Sequence, residues 1–129
     1  MSDPDDSPRP RVMVLDDQVV MLRLLARALS QYEVTQLSDP AEALAKLRSG
    51  ERFDAIVCDF YMPGMTGANL QEELRRLDAA QAGRMIFLTG ALLGDEEGGF
   101  VRHNPGRVLR KPVDLAGLRA VVAEVLRGR

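Results

Sequence analysis

Apolar residues along this chain follow two alternating patterns. Val12-Met13-Val14-Leu15, Ala55-Ile56-Val57-Cys58 and Met85-Ile86-Phe87-Leu88 are unbroken apolar runs, as expected of short strands covered on both faces. Glu33 to Leu37 is rich in β-formers and predicts another strand, and Arg107 to Arg110 a fifth. Between them the spacing turns helical. Apolar residues crowd Val19 to Leu29, with Arg23 and Arg27 on the outer face. Asp39 is placed to cap a second helix, with Pro40 in its first position, Glu42 completing a capping box and Gly50 near its end. Pro63, Gly64 and Gly67 mark a loop, after which Asn69 to Leu77 resumes helical spacing. Gly94 to Gly106 holds four glycines and one proline, so any helix there is expected to be short. Asp114 caps a last amphipathic helix built on Leu115, Leu118, Val121, Val122, Val125 and Leu126.

Five strands alternating with about five helices predict a doubly wound α/β domain with a parallel sheet. Right-handed crossovers then bring every strand's C-terminal end to one edge, where such sheets carry their chemistry.

Composition narrows this picture. A chain of 129 residues, 46% hydrophobic and 28% charged, fits one globular domain. Residues 1–10 hold three prolines and three aspartates and read as a disordered tail, leaving 11–127 for the domain. The net charge of −2 argues against direct nucleic-acid binding. Cys58 is the only cysteine, which excludes an internal disulfide and suits a reducing compartment. No apolar run approaches the ~20 residues of a membrane span. A cytoplasmic location is therefore expected.

The polar residues fall at the strand exits. Asp16 and Asp17 follow the first strand, Asp59 ends the third, Thr89 ends the fourth and Lys111 follows the fifth. Three carboxylates at one edge repel one another and invite a hard divalent cation, Mg²⁺ by its taste for oxygen ligands. A hydroxyl and an ammonium beside them suit phosphoryl oxygens. The pattern Asp16-Asp17, Asp59-Phe-Tyr-Met-Pro-Gly-Met-Thr-Gly67, Phe87-Leu-Thr-Gly90 and Lys111-Pro112 resembles the receiver domain of two-component response regulators. The resemblance covers nearly all of Arg11 to Leu126.

That resemblance implies a flavodoxin-like (βα)5 sandwich with strand order 2-1-3-4-5. It implies Asp59 as phosphoacceptor, Mg²⁺ ligated by Asp17, Asp59 and the Tyr61 backbone carbonyl, and Asp16 acting through a metal-bound water. Thr89 and Lys111 would hold phosphoryl oxygens, and the Lys111–Pro112 bond would be cis. The implied partners are a sensor histidine kinase or phosphotransfer protein and a downstream protein of unknown identity. A dimer formed on phosphorylation is left open, and no membrane contact is implied. The role is signalling, with self-phosphorylation and autodephosphorylation as the most catalysis expected. No output domain fits in this chain, so a stand-alone regulator, a fragment and a receiver fused to a hybrid histidine kinase all remain open.

The chain departs from the family pattern at Val108 and Val113, both often aromatic, and at Gly90, often alanine. Signalling is therefore expected to run through rearrangement of Gly90 to Gly106 instead of an aromatic rotamer at position 108. A receiver-like module that works without phosphorylation is the alternative. An aspartyl phosphatase of the haloacid dehalogenase type would need a second acid at position 61, which is tyrosine. Gln18-Val19-Val20 would not cradle a phosphate as a cofactor domain requires. Asp16 or Asp17 is also expected to cap the first helix, Cys58 to be an inert core residue, and His103 to lie on a surface loop.

Overall fold

The computed structural model describes residues 9–90 and 95–128. Most of the expected tail, residues 1–8, lies outside the described residues. The elements are β1 (Arg11–Leu15), α1 (Val19–Ala28), β2 (Glu33–Leu37), α2 (Pro40–Arg48), β3 (Ala55–Asp59), β4 (Tyr61–Met62), β5 (Met65–Thr66), α3 (Gly67–Leu77), α4 (Ala79–Ala82), β6 (Met85–Thr89), α5 (Asp95–His103), β7 (Val108–Arg110) and α6 (Leu115–Arg127). Five strands form one parallel sheet in the order β2-β1-β3-β6-β7. This is the expected 2-1-3-4-5 topology, since β4 and β5 form a separate small hairpin.

The apolar runs work on both faces of that sheet. Met13 and Leu15 of β1 join Ile56 and Cys58 of β3 in a core with α2 and α3 residues such as Leu44, Leu47, Leu70 and Leu74. Val12, Val14, Ala55 and Val57 point the other way, into a second core with Leu22 and Leu25 of α1 and Leu118 and Val122 of α6. Alternation along a strand thus fills two cores, and no position from Val12 to Leu15 or from Ala55 to Cys58 is left for a polar side chain.

Local capping follows the sequence in most places. Asp39 Oδ1 accepts from Ala41 N–H at 2.9 Å and Asp114 Oδ1 from Ala116 N–H at 3.2 Å. The reciprocal box expected at Asp39 and Glu42 is found instead at Thr66 and Asn69, which start α3 two residues earlier than expected. The helix cap expected from Asp16 or Asp17 is absent: Gln18 occupies the N-cap of α1 without a side-chain bond. The segment read as a loop contains the β4–β5 hairpin, which turns at Gly64 with φ of 83°. α5 runs nine residues through Gly98 and Gly99, and His103 ends it instead of sitting on a loop.

Candidate functional site

Because β1, β3, β6 and β7 run parallel, their C-terminal ends open on one edge. Asp16 directly follows β1, Asp59 is the last residue of β3, Thr89 the last of β6, and Lys111 follows β7. The ladder continues past the strands there: Phe60 N–H donates to Leu88 O at 2.8 Å and Lys111 N–H to Thr89 O at 2.7 Å. The register sets Asp59 level with Leu88 of β6 and Leu109 of β7, so Lys111 leaves the sheet two residues beyond that level, with β6 between it and the aspartate.

The side chains then meet. Lys111 Nζ lies 3.3 Å from Asp59 Oδ1 and 3.5 Å from Asp16 Oδ2. One carboxylate oxygen from each of Asp16, Asp17 and Asp59 lies within 4.8 Å of the others. Asp16 is fully buried and Asp59 nearly so, while Asp17 is exposed. Gln18 N–H donates to Asp16 Oδ1 at 2.9 Å, which fixes that carboxylate at the head of the loop. Its Oδ2 is buried and makes no hydrogen bond. Burial and the Asp16 charge push the Asp59 carboxyl above its ordinary value, against the pull of Lys111.

This donor set suits a hard cation. Three carboxylates cluster here, Lys111 pairs with two of them, and the buried Asp16 Oδ2 has that ion pair but no hydrogen bond, which leaves room for a further positive charge. Thr89 is buried at the same edge, and Tyr61 leaves it with its side chain 42% exposed. Behind the acids, the buried Cys58 thiol is pushed up by burial and by the charges of Asp59 and Asp16. It stays a protonated core group, as expected.

One neighbour of the site has no sequence motif to announce it. Phe60, the residue after Asp59, packs edge-on against Phe100 of α5 at 5.1 Å between ring centres, and Phe100 packs against Phe87 at 4.7 Å. Val108 borders the same core. Phe100, inside the glycine-rich stretch where periodicity was weakest, thus brings an aromatic ring from α5 to the core that Val108 borders.

Residues 12–123 match the response regulator receiver domain family. The chain belongs to that family. This receiver is 35% identical over 122 residues to the transcriptional regulatory protein PrrA of Mycobacterium tuberculosis, covering 93% of the chain and 51% of PrrA. It is 41% identical over 66 residues to the putative two-component response regulator ARR21 of Arabidopsis thaliana, covering 49% of the chain and 11% of that protein. The chain therefore spans about half of one curated relative and a small part of the other. Among solved structures, the signal receiver domain of an HD domain-containing protein from Pseudomonas fluorescens Pf-5 superposes with a TM-score of 0.79 at 25% identity, covering 99% of this chain and 94% of that one. The family is a signalling family of two-component systems, and the expected fold is the observed one. The Lys111–Pro112 bond is cis, as the family resemblance implied. Among the described residues, no helix is long and apolar enough to cross a membrane.

Proposed function

We propose that Asp59 is the phosphoacceptor of this receiver, taking a phosphoryl group from a phosphohistidine of a sensor kinase or phosphotransfer protein. The observation that carries this reading is the Lys111 ammonium bridging Asp16 and Asp59 at the exit edge of the sheet. In the step, an Asp59 carboxylate oxygen attacks phosphorus, the P–N bond to the donor imidazole breaks, and an acyl phosphate forms. The imidazole leaves neutral after taking up a proton. Lys111 then exchanges its carboxylate partner for phosphoryl oxygens, and the Thr89 hydroxyl donates to another. Asp16, Asp17, Asp59 and the Tyr61 carbonyl would hold Mg²⁺, whose charge offsets the repulsion between the carboxylates and the incoming phosphoryl group.

Exposed Val19 and Val20, two and three residues beyond Asp17, support contact with a donor protein, since they offer apolar surface close to the acids. The product is a charge change beside Phe60, whose ring reaches α5 through Phe100. That supports a switch in protein contacts made by α5. The reading is tested by incubating the chain with acetyl phosphate and Mg²⁺ and measuring intact mass. One added phosphoryl group in the wild type and none in Asp59→Ala is the expected result. An unmodified wild type would favour an interaction module that works without phosphorylation.

A further inference from the structure

At the opposite edge of the sheet, beside the N-terminal ends of β6 and β7, lies a second polar cleft. It has a volume of about 350 Å³ and is walled by the end of α3, by α4 and by the turn from α5 into β7. Small-molecule sites begin at about 300 Å³. Arg75, His103 and Arg107 line it, and among the described residues lining it there is no carboxylate. Arg107 also borders a neighbouring cleft of about 270 Å³, to which Arg84 contributes.

Arg107 is half-buried, and among the described residues one nitrogen of its guanidinium lacks a partner. Its Nη1 is shut off from solvent and has no hydrogen-bond partner, a costly condition for a guanidinium. Basic side chains in the last turns of α3 and α5 complement the negative ends of those helices, which accounts for Arg75 and His103. That account does not extend to Arg107, which follows α5 in a turn closed by its own N–H on Asn104 O at 3.0 Å. Arg75 pairs with Glu72 at 2.9 Å, but both are about half exposed, so the pair is weak and Arg75 is available to a stronger acceptor. The wall behind is rigid: Gln71 Nε2 donates to Asn104 Oδ1 at 2.7 Å, and Asn104 Nδ2 to Phe100 O at 2.8 Å.

We propose that this cleft binds a small ligand through an oxyanion group, phosphate or carboxylate, seated between Arg75 and Arg107 with His103 beside it. Arginine's planar fork of donors matches either oxyanion, and the volume limits the ligand to about the size of a mononucleotide. Arg107 is half-buried and lines the cleft, so an anion seated there would answer its charge through the surface the cleft exposes, with the enclosed Nη1 behind it.

The test is an amide-resolved NMR titration of the whole chain with inorganic phosphate, AMP and citrate, in the absence of divalent cations. Saturable shifts at Gln71, Asn104 and Arg107 with at least one probe are expected, and the probe that binds identifies the oxyanion. Affinity should fall about tenfold or more in Arg107→Gln, the loss of one charge-assisted contact, and less in Arg107→Lys. If Arg107→Gln does not fold, Arg75→Gln on the exposed helix face takes its place, with a weaker affinity still required. No saturable binding by any probe, shifts confined to the Asp59 and Lys111 edge, or an affinity unchanged in the folded variants would each overturn the proposal.

Discussion

Replacing Lys111 by methionine removes the only cation that the described structure places between the acids at the phosphoacceptor edge, while keeping most of the side chain's volume. At 3.3 and 3.5 Å from two carboxylates, the ammonium attracts each by about 5 kcal/mol at an effective dielectric of about 20. Desolvating the ions offsets several kcal/mol of that sum. Taking away one partner leaves buried carboxylates unpaired, which typically costs about 3–5 kcal/mol. Proton uptake limits the loss, because Asp59 already sits above its ordinary pKa through burial and Asp16, and loses the one group that lowers it. The expected cost is therefore about 2–4 kcal/mol near neutral pH, the span between partial and full relief. With a urea m-value of about 2 kcal/mol per M, the unfolding midpoint should drop by ~1–2 M in the presence of a chelator.

The pH dependence has a definite sign. A carboxyl whose pKa is higher folded than unfolded binds more protons in the native state, so stability falls as pH rises from the unfolded value through the folded one. Lys111→Met raises the folded value further, so its cost should shrink in mildly acid solution. In an Asp59→Asn background the cost should also shrink, with a coupling of at least ~1 kcal/mol. A cost below ~0.5 kcal/mol in chelator, or strict additivity with Asp59→Asn, would refute the electrostatic account of the site.

Three further outcomes are expected. Gly67→Ala would put a Cβ 2.8 Å from Phe87 Cδ1 and 3.3 Å from the Phe60 backbone, so thermal or urea unfolding should show a loss of about 1–3 kcal/mol, reduced when Phe87→Leu makes room. Tyr61→Ala should shorten the lifetime of the acyl phosphate by opening it to water, read as loss of phosphoprotein mass with time; an unchanged lifetime would count against shielding by the ring. Beryllofluoride with Mg²⁺ should change amide exchange in α5, and Phe100→Leu should weaken that response, whereas unaltered exchange throughout α5 would sink the Phe100 route.

What could be read in advance depended on how local the cause was. The parallel sheet was legible because Val12 to Leu15, Ala55 to Cys58 and Met85 to Leu88 must be covered on both faces, and only flanking helices do that. Asp16 and Asp59 were legible because each ends an apolar run, and Lys111 because it follows the last expected strand; parallel strands bring such ends together. The β4–β5 hairpin was not, since its two-residue strands are too short to show a period. Asp16 reads as a helix cap in isolation, but its carboxylate bonds Gln18 N–H before the helix begins. Phe100 was hidden for another reason. Its partners, Phe60 and Phe87, lie on β-strand exits and interiors far away in sequence, and the glycines around it mask the helix that presents it.

The central claim concerns one atom pair, an Asp59 carboxylate oxygen bonded to phosphorus. Borohydride reduction of the acetyl-phosphate-treated chain, followed by peptide mass mapping, reads that bond directly, because only an acyl phosphate is reduced to the homoserine alcohol. Homoserine at position 59, formed only when Mg²⁺ is present and absent when Lys111 and Asp16 are both replaced, is the predicted result. Reduction at any other aspartate, or phosphate retained without a reducible acyl bond, would contradict the account.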